Sequence, residues 1–327
     1  MCIFIYLLGR RFLQTILITC STVFLLNTNL QTSFAQLNDQ SIVFTEFFEE
    51  LFHVQPNGSA SDILNSAPFS DSPFGQLVEV IDANRIIISS FSDLHLYDVA
   101  TQTTSLLTTL SSSPREITRD VNGGLIATSS GGVTHIDLTT GVESLIYDAT
   151  FFSPGDVAVS ADGTIFTTEF FDALGFVNRQ TGTFEQIGDF SANAFDHLDI
   201  GTDGNLYVTD GQDFLRIHPY SGESTLIGTF DGVFIDDIKV DDAGQILFSG
   251  SADGVNNIHS LDPQTGLIDT VVFGNDIDDR FFSILDFDIY TPNLRQVSAV
   301  PEPSTAVVLF LAAGSITCLR RRSTIRL

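Results

Sequence analysis

Asp203-Gly204-Asn205-Leu206-Tyr207-Val208-Thr209-Asp210 reads as a tight turn running into a strand. Asp-Gly suits the positive-φ positions of a hairpin turn, and the residues after it favour a pleated strand. The same turn precedes an apolar β-branched run at Asn122-Gly123, Asp162-Gly163 and Ala243-Gly244, with Ala83-Asn84 a degenerate first copy. Counted from the second residue of each pair, the anchors 84, 123, 163, 204 and 244 lie 39, 40, 41 and 40 residues apart. A second turn keeps phase with them at Gln102, Gly141, Gly182, Gly222 and Gly266, in steps of 39, 41, 40 and 44. Two independent markers on one period of about 40 residues identify an internal repeat.

Each unit parses into four short strands. In the clearest copy these are 157–160, 164–169, 174–178 and 183–188; in its neighbour they are 198–200, 205–210, 214–218 and 224–228. Four antiparallel strands every 40 residues is the arithmetic of a β-propeller blade, whereas a linear β-solenoid uses shorter units. The expected fold is therefore all-β, a propeller over 77–290 with five full units across 77–273. Leu285-Asp286-Phe287-Asp288-Ile289 starts a sixth unit, matching Asp236-Asp237-Ile238-Lys239-Val240, but lacks room for three more strands. The strand-like Ser41–Val54, within the N-terminal segment 36–76, is predicted to complete it as a composite blade, which removes the exposed edges of an open array. Five blades with an N-terminal extension is the alternative. Residues 55–76, rich in Ser, Pro, Asn and Asp, read as a loop, and 291–300 as a linker.

Asp203–Asp210 also carries a resemblance. It looks like the second strand of propellers of the NHL-repeat, gluconolactonase and virginiamycin B lyase kind. That likeness implies architecture and little else, because such units host many functions. In the lyases and lactonases the working residues line the channel mouth, but no residue-by-residue motif carries over to this chain.

Charge is distributed as unevenly as the repeats are evenly. The 327-residue chain has 41 acidic and 14 basic residues, a net charge of −27, yet a positive mean hydropathy. Residues 36–300 hold 40 of those acids and 8 of the bases, and Lys239 is their only lysine. Such a middle cannot supply the clustered cations of a phosphate-binding surface, so no nucleic-acid partner is expected. All three cysteines, Cys2, Cys20 and Cys318, lie in the apolar ends. The middle thus has no disulfide, no thiolate metal site and no cysteine nucleophile.

Those ends read as processing segments. Arg10-Arg11 precedes the uncharged apolar run Phe12–Leu26, and Ser33-Phe34-Ala35 offers small residues for signal peptidase cleavage after Ala35. Residues 1–35 are therefore expected to be an export signal, with an uncleaved anchor as the alternative. At the other end, Pro301-Glu302-Pro303 leads into the apolar Thr305–Leu319 and then Arg320-Arg321-Arg322. The cationic cluster favours the cytoplasmic side of a membrane. The order and spacing over 301–323 resemble the PEP-CTERM sorting signal of Gram-negative bacteria. The resemblance implies recognition and removal by an exosortase, a precursor held in the inner membrane by its tail, and final sorting to the cell surface or an exopolysaccharide matrix.

Propeller geometry selects the candidate site. The positions seven before each anchor, Leu77, Glu116, Asp156, His197 and Asp237, should ring the channel mouth together with Asp286. The positions nine after, Asp93, Gly132, Asp172, Asp213 and Asp253, should lie further out on the same face. Converging carboxylates repel unless neutralised, and a hard divalent cation such as Ca²⁺ is one remedy; a raised carboxyl pKa fit for acid–base work is another. Capping of nearby backbone amides by Asp is the plain structural alternative. His197 alone among the six histidines falls in the ring, which makes it the candidate catalytic or ligating residue. His95, His135, His218 and His259 fall in third strands at unequal offsets. The Asp-Gly and Asn-Gly turns belong to the opposite face and should be structural. The pairs Phe151-Phe152, Phe170-Phe171 and Phe281-Phe282 suit inter-blade packing or sugar stacking.

The expected function is an exported binding or scaffolding propeller whose acidic face meets cations, basic proteins or polysaccharide. The alternative is a calcium-dependent lactonase or lyase working at Glu116, Asp156, His197 and Asp237.

Overall fold

The structure, a computed structural model, describes residues 41–46, 51–54, 60–65, 77–149, 154–169, 173–188, 195–232, 234–252, 255–272 and 284–290. Ala35, the 291–300 linker, Pro301-Glu302-Pro303, Arg320–Arg322, Asp172, Asp253 and the three phenylalanine pairs lie outside them. The described residues form 24 strands and no helix.

β1 (Ile42–Glu46), β2 (Leu51–Val54) and β3 (Ala60–Asn65) come first in the chain. Blade 1 is β4 (Val78–Asp82), β5 (Arg85–Ser90), β6 (Asp93–Asp98) and β7 (Thr103–Thr109). Blade 2 is β8 (Pro114–Arg119), β9 (Leu125–Ser129), β10 (Gly132–Ile136) and β11 (Glu143–Asp148). Blade 3 is β12 (Pro154–Val159), β13 (Ile165–Glu169), β14 (Ala173–Asn178) and β15 (Thr183–Gln186). Blade 4 is β16 (Phe195–Ile200), β17 (Leu206–Asp210), β18 (Asp213–Ile217) and β19 (Ser224–Thr229). Blade 5 is β20 (Phe234–Val240), β21 (Ile246–Ala252), β22 (Val255–Leu261) and β23 (Ile268–Val272), and β24 (Ile284–Ile289) follows.

Every sheet is an antiparallel four-strand meander, and the sixth runs β24-β1-β2-β3. The C-terminal strand is thus innermost in a blade whose other three strands come from the N-terminal side, with Phe44 opposite Phe287 and Ile42 opposite Ile289. Six blades close the ring, and the five-bladed alternative falls. The innermost strands touch in the order β4, β8, β12, β16, β20, β24 and back to β4. One expectation is corrected: the stretch 55–76 is not wholly a loop, because β3 lies in it. Its Ser and Asp content obscures a strand that pairs only with β2 and closes the blade at its outer edge.

Burial follows position in the blade. The second strands β9 and β13 are buried at every residue, while outermost β7 shows an exposed, polar pattern. The core is divided among six apolar clusters, one at each blade junction. Between blades 3 and 4, for example, Phe166 and Leu174 pack with Leu198 and Leu206. Blade-to-blade burial, not a single central core, drives closure.

The turns that set the repeat are three-residue loops. Gly123, Gly163, Gly204 and Gly244 take φ of 84°, 87°, 79° and 81°, while the residue before each does not take positive φ. The Asp is there for its carboxylate: Oδ1 of Asp162 accepts from Thr164 N–H, and that of Asp203 from Asn205 N–H. These are type I turns closed by a left-handed glycine, rather than two-residue turns with both φ positive. The second marker is equally regular, with φ of 53° at Gln102 and 65–70° at Gly141, Gly182, Gly222 and Gly266.

Candidate functional site in the central channel

Side chains two apart on a strand share a face, so each innermost strand presents a pair of positions to the axis. One layer is the expected ring: Leu77, Glu116, Asp156, His197, Asp237 and Asp286. The layer beneath it, five before each anchor, is Glu79, Thr118, Ala158, Asp199, Lys239 and Asp288. The two layers together carry seven carboxylates. All seven are at most 8% exposed, as is Lys239.

The carboxylates are held by backbone amides, and the pattern repeats around the ring. Asp156, Asp199, Asp237 and Asp288 each accept from the N–H of the next residue in their own strand. With the other oxygen each accepts from an innermost strand of the following blade. Asp156 takes Leu198 N–H at 2.6 Å, Asp199 takes Val240 N–H at 2.6 Å, and Asp288 takes Val80 N–H at 2.7 Å. Asp286 takes Val78 N–H, Glu79 takes Arg119 N–H at 2.9 Å, and Asp237 reaches Phe287 N–H at 3.5 Å. Among the described residues, the junction of blades 2 and 3 is joined instead by the Thr128 hydroxyl on the Gly155 carbonyl, by Arg179 on Asp120 and by the Tyr147 hydroxyl on Glu169. These acids are staples between blades. The ring acids do cap backbone amides, as the plain structural alternative has it, but they are buried in the strands and reach the next blade as well as their own.

Lys239 supplies the counter-charge. Its Nζ lies 3.3 Å from Asp237 Oδ1 and 3.5 Å from Glu116 Oε1, linking blade 5 to blade 2 on the opposite side of the ring. Burial disfavours the ammonium, but Asp237, Glu116, Asp286 and Asp156 outweigh it and hold the pKa well above that of an ordinary lysine. A lysine so held is no nucleophile at neutral pH. Burial pushes the Asp156 carboxyl up to about 7 against the pull of Lys239, with Asp237 adding to the rise. Glu116 and Asp286 are raised well above the usual range, again chiefly by burial. In the lower layer burial and Asp288 raise Glu79, although Arg119 Nε sits 3.2 Å from its Oε1. A cavity of about 40 Å³ remains there, beside Glu79, Arg119, Asp199, Lys239 and Asp288. That is room for very few water molecules.

His197 is the most open of the titratable residues in the two layers, its side chain 23% exposed. Its Nε2 lies 3.1 Å from the Ile235 carbonyl, which can only accept, so the proton belongs on Nε2 and Nδ1 is bare. Nδ1 faces Asp156 Oδ2 at 3.8 Å, and burial lowers the histidine pKa, favouring the neutral ring. Asp156, His197 and Asp237 offer one donor atom each, all within 4.8 Å of one another. The structure therefore brings together five of the expected residues: Glu116, Asp156, His197, Asp237 and Asp286. Leu77 precedes β4 as a half-buried apolar member.

The outer acids do other work. Asp93 and Asp213 accept from the Thr109 and Thr229 hydroxyls, each tying a third strand to the fourth. His218 lies just beyond β18, where its Nδ1 caps the N–H groups of Tyr220 and Ser221. His259 packs against Phe248 and Phe230, and His135 stands 3.6 Å from Asp120.

Two sets of residues went unread in the sequence. The lower layer was available from the alternation of a strand. The second set is a hydroxyl five after every anchor, Ser89, Thr128, Thr168, Thr209 and Ser249, all buried. Ser89, Thr168 and Thr209 accept from the backbone N–H of Leu77, Asp156 and His197, fixing the ring positions themselves.

No family model and no curated protein matches the sequence. Solved structures match its shape. A chain in the crystal structure of a nidogen/laminin complex is similar at a TM-score of 0.65 and 9% identity, over 78% of this chain and 99% of that one. Virginiamycin B lyase from Staphylococcus aureus is similar at a TM-score of 0.54 and 15% identity, over 72% and 81%. The fold is a six-bladed β-propeller. At these identities the likeness extends to the fold alone.

Proposed function

We propose that the chain is an exported, surface-sorted propeller that binds or scaffolds material of the cell envelope or its exopolysaccharide matrix. The observation that carries this reading is the closed ring. Its carboxylates are buried and bonded to backbone amides, and Lys239 pairs with two of them, which keeps them from a substrate. Contacts then fall to the loops around the mouth, where Phe91 is 50% and Phe234 66% exposed in an acidic chain. Such loops suit a basic protein, or a sugar stacked on the rings with Ca²⁺ bridging its acids. Among the solved structures of similar fold are a chain from a nidogen/laminin complex and a lyase, and of these two the first is the nearer parallel to this reading. Export, signal peptidase cleavage and exosortase sorting rest on residues 1–35 and 301–323.

The test is localisation of the full chain in an exosortase-bearing Gram-negative host. Surface display should be lost on changing Glu302 or deleting 305–327, and unchanged attachment would refute the sorting. The Asp156–His197–Asp237 grouping favours a second reading, metal-assisted lactonase or lyase chemistry. Under that reading His197→Ala and Asp237→Ala abolish turnover of a lactone or ester panel by the native chain. No turnover by the native chain leaves the scaffold.

A further inference from the structure

The central charge cluster is asymmetric. Five of the six lower-layer positions hold an acid or a small residue, and only Lys239 carries a long cationic side chain. Burying that side chain costs rotamer entropy and the hydration of an ammonium, and its charge is worth keeping only while the carboxylates surround it. It meets acids from two opposite blades, the position in which a multivalent ion would join the same groups. Beside it, the Ile235 carbonyl fixes the His197 tautomer that leaves Nδ1 as a donor. A backbone carbonyl holding the remote nitrogen is the arrangement that orients metal-bound histidines.

We infer that Lys239 is the resident cation of the channel, standing where a divalent metal would stand. The native propeller then takes no divalent ion at this site, and removing the ammonium creates a metal site of Asp156, His197 and Asp237 with Glu116 alongside. One nitrogen donor among carboxylates suits Mn²⁺ or Zn²⁺ better than Ca²⁺, which prefers six or more oxygens. The inference is independent of what the outer loops bind, and it excludes the metal-assisted second reading of the same three residues.

The experiment is titration calorimetry and thermal melting of the full chain in detergent, with EDTA, Ca²⁺, Mn²⁺ or Zn²⁺. The native chain should melt at one temperature in all four, with no channel-dependent binding. Lys239→Ala should melt lower in EDTA and regain about 5 °C or more in saturating Mn²⁺ or Zn²⁺, with one ion bound per chain. That gain should vanish in Lys239→Ala/His197→Ala. Lys239→Arg, which keeps the charge, should behave as the native chain does. One equivalent of metal bound by the native chain, and lost in Asp237→Asn, would overturn the inference. So would a Lys239→Ala chain that folds without metal response, or one that stays unfolded in millimolar Mn²⁺ and Zn²⁺.

Discussion

The two ends of each blade are built on different principles. At the turn end the bonds that shape each hairpin are local: Gly163 N–H reaches the Ser160 carbonyl, Gly204 N–H that of Gly201, and Gly244 N–H that of Asp241; between blades, Arg179 pairs with Asp120. Along the innermost strands the bonds are long-range, pairing Asp156 with Leu198, Asp199 with Val240 and Glu79 with Arg119, one repeat away. Turns shape a blade, and the acids of the innermost strands join blades into a ring, with Arg179–Asp120 a further link at the turn end. The same residue type does both jobs, so aspartate content alone says nothing about which job is being done.

The sharpest way to break this comparison uses two aspartates of blade 4. Asp199 serves Ile200 and Val240 N–H groups inside the channel, whereas exposed Asp203 accepts from Asn205 and from the Tyr207 hydroxyl in its own turn and strand. Asp199→Ala removes two buried bonds to a carboxylate and should cost about 4 kcal/mol; Asp203→Ala, whose bonds lie within one exposed turn and to one hydroxyl, should cost about 1–2 kcal/mol. Urea unfolding of the two variants measures the difference, and equal losses would end the distinction. Glycines give a smaller contrast. A Cβ on Gly132, at φ 126°, would strike the Tyr147 carbonyl of the neighbouring strand, whereas one on Gly244, at φ 81°, meets open space. Gly132→Ala should cost about 3 kcal/mol and Gly244→Ala about 1–2 kcal/mol, the price of a left-handed alanine alone.

Acidity separates the buried channel acids from the more open turn acids by sign, with buried Asp241 of the β20–β21 turn raised like the former. Asp156 titrates at about 7 in the fold and near 3.9 in an unfolded chain, and Glu116, Asp286 and Glu79 are raised as well. Between those values the folded state holds more protons, so stability falls as pH rises from about 4 to about 7. Each such proton contributes up to about 1.4 kcal/mol per pH unit. The turn acids Asp98, Asp137 and Asp262 are lowered by backbone bonds, so their contribution is lost only as pH falls through the acid range. Lys239 stays charged throughout. Thermal melting should therefore peak on the acid side of neutrality, and Asp156→Asn should flatten the slope above the peak. A melting temperature that rises steadily from pH 5 to pH 8 would contradict this.

These contrasts also mark what the sequence allowed. Blade number, composite closure and the ring positions followed from two turn markers, because turn chemistry is local and the period carries it around. The staples escaped notice because an Asp bonded to an amide 41 or 42 residues away has the same composition as a solvated one. Lys239 was visible as the only lysine of the middle, but its reach across the ring depends on which blades stand opposite. β3 was missed because a strand with one partner at the edge of a blade carries little of the apolar signal that marks the others.

The smallest expected effect has the opposite sign. The hairpin between β5 and β6 turns on Phe91, a non-glycine at φ 52°, where the equivalent hairpin of blade 4 uses Gly211 at φ 61°. Half of the Phe91 side chain is exposed, so it recovers little burial for a backbone conformation that costs an L-residue about 1 kcal/mol. Phe91→Gly should leave the fold intact and raise stability by under about 1 kcal/mol, since glycine also loses more chain entropy on folding. If the mouth loops are the contact surface, the same variant should bind basic protein or matrix polysaccharide more weakly while melting no lower. A variant that loses stability instead would show that the ring is needed for packing, and would place Phe91 with the structural residues of the turn end.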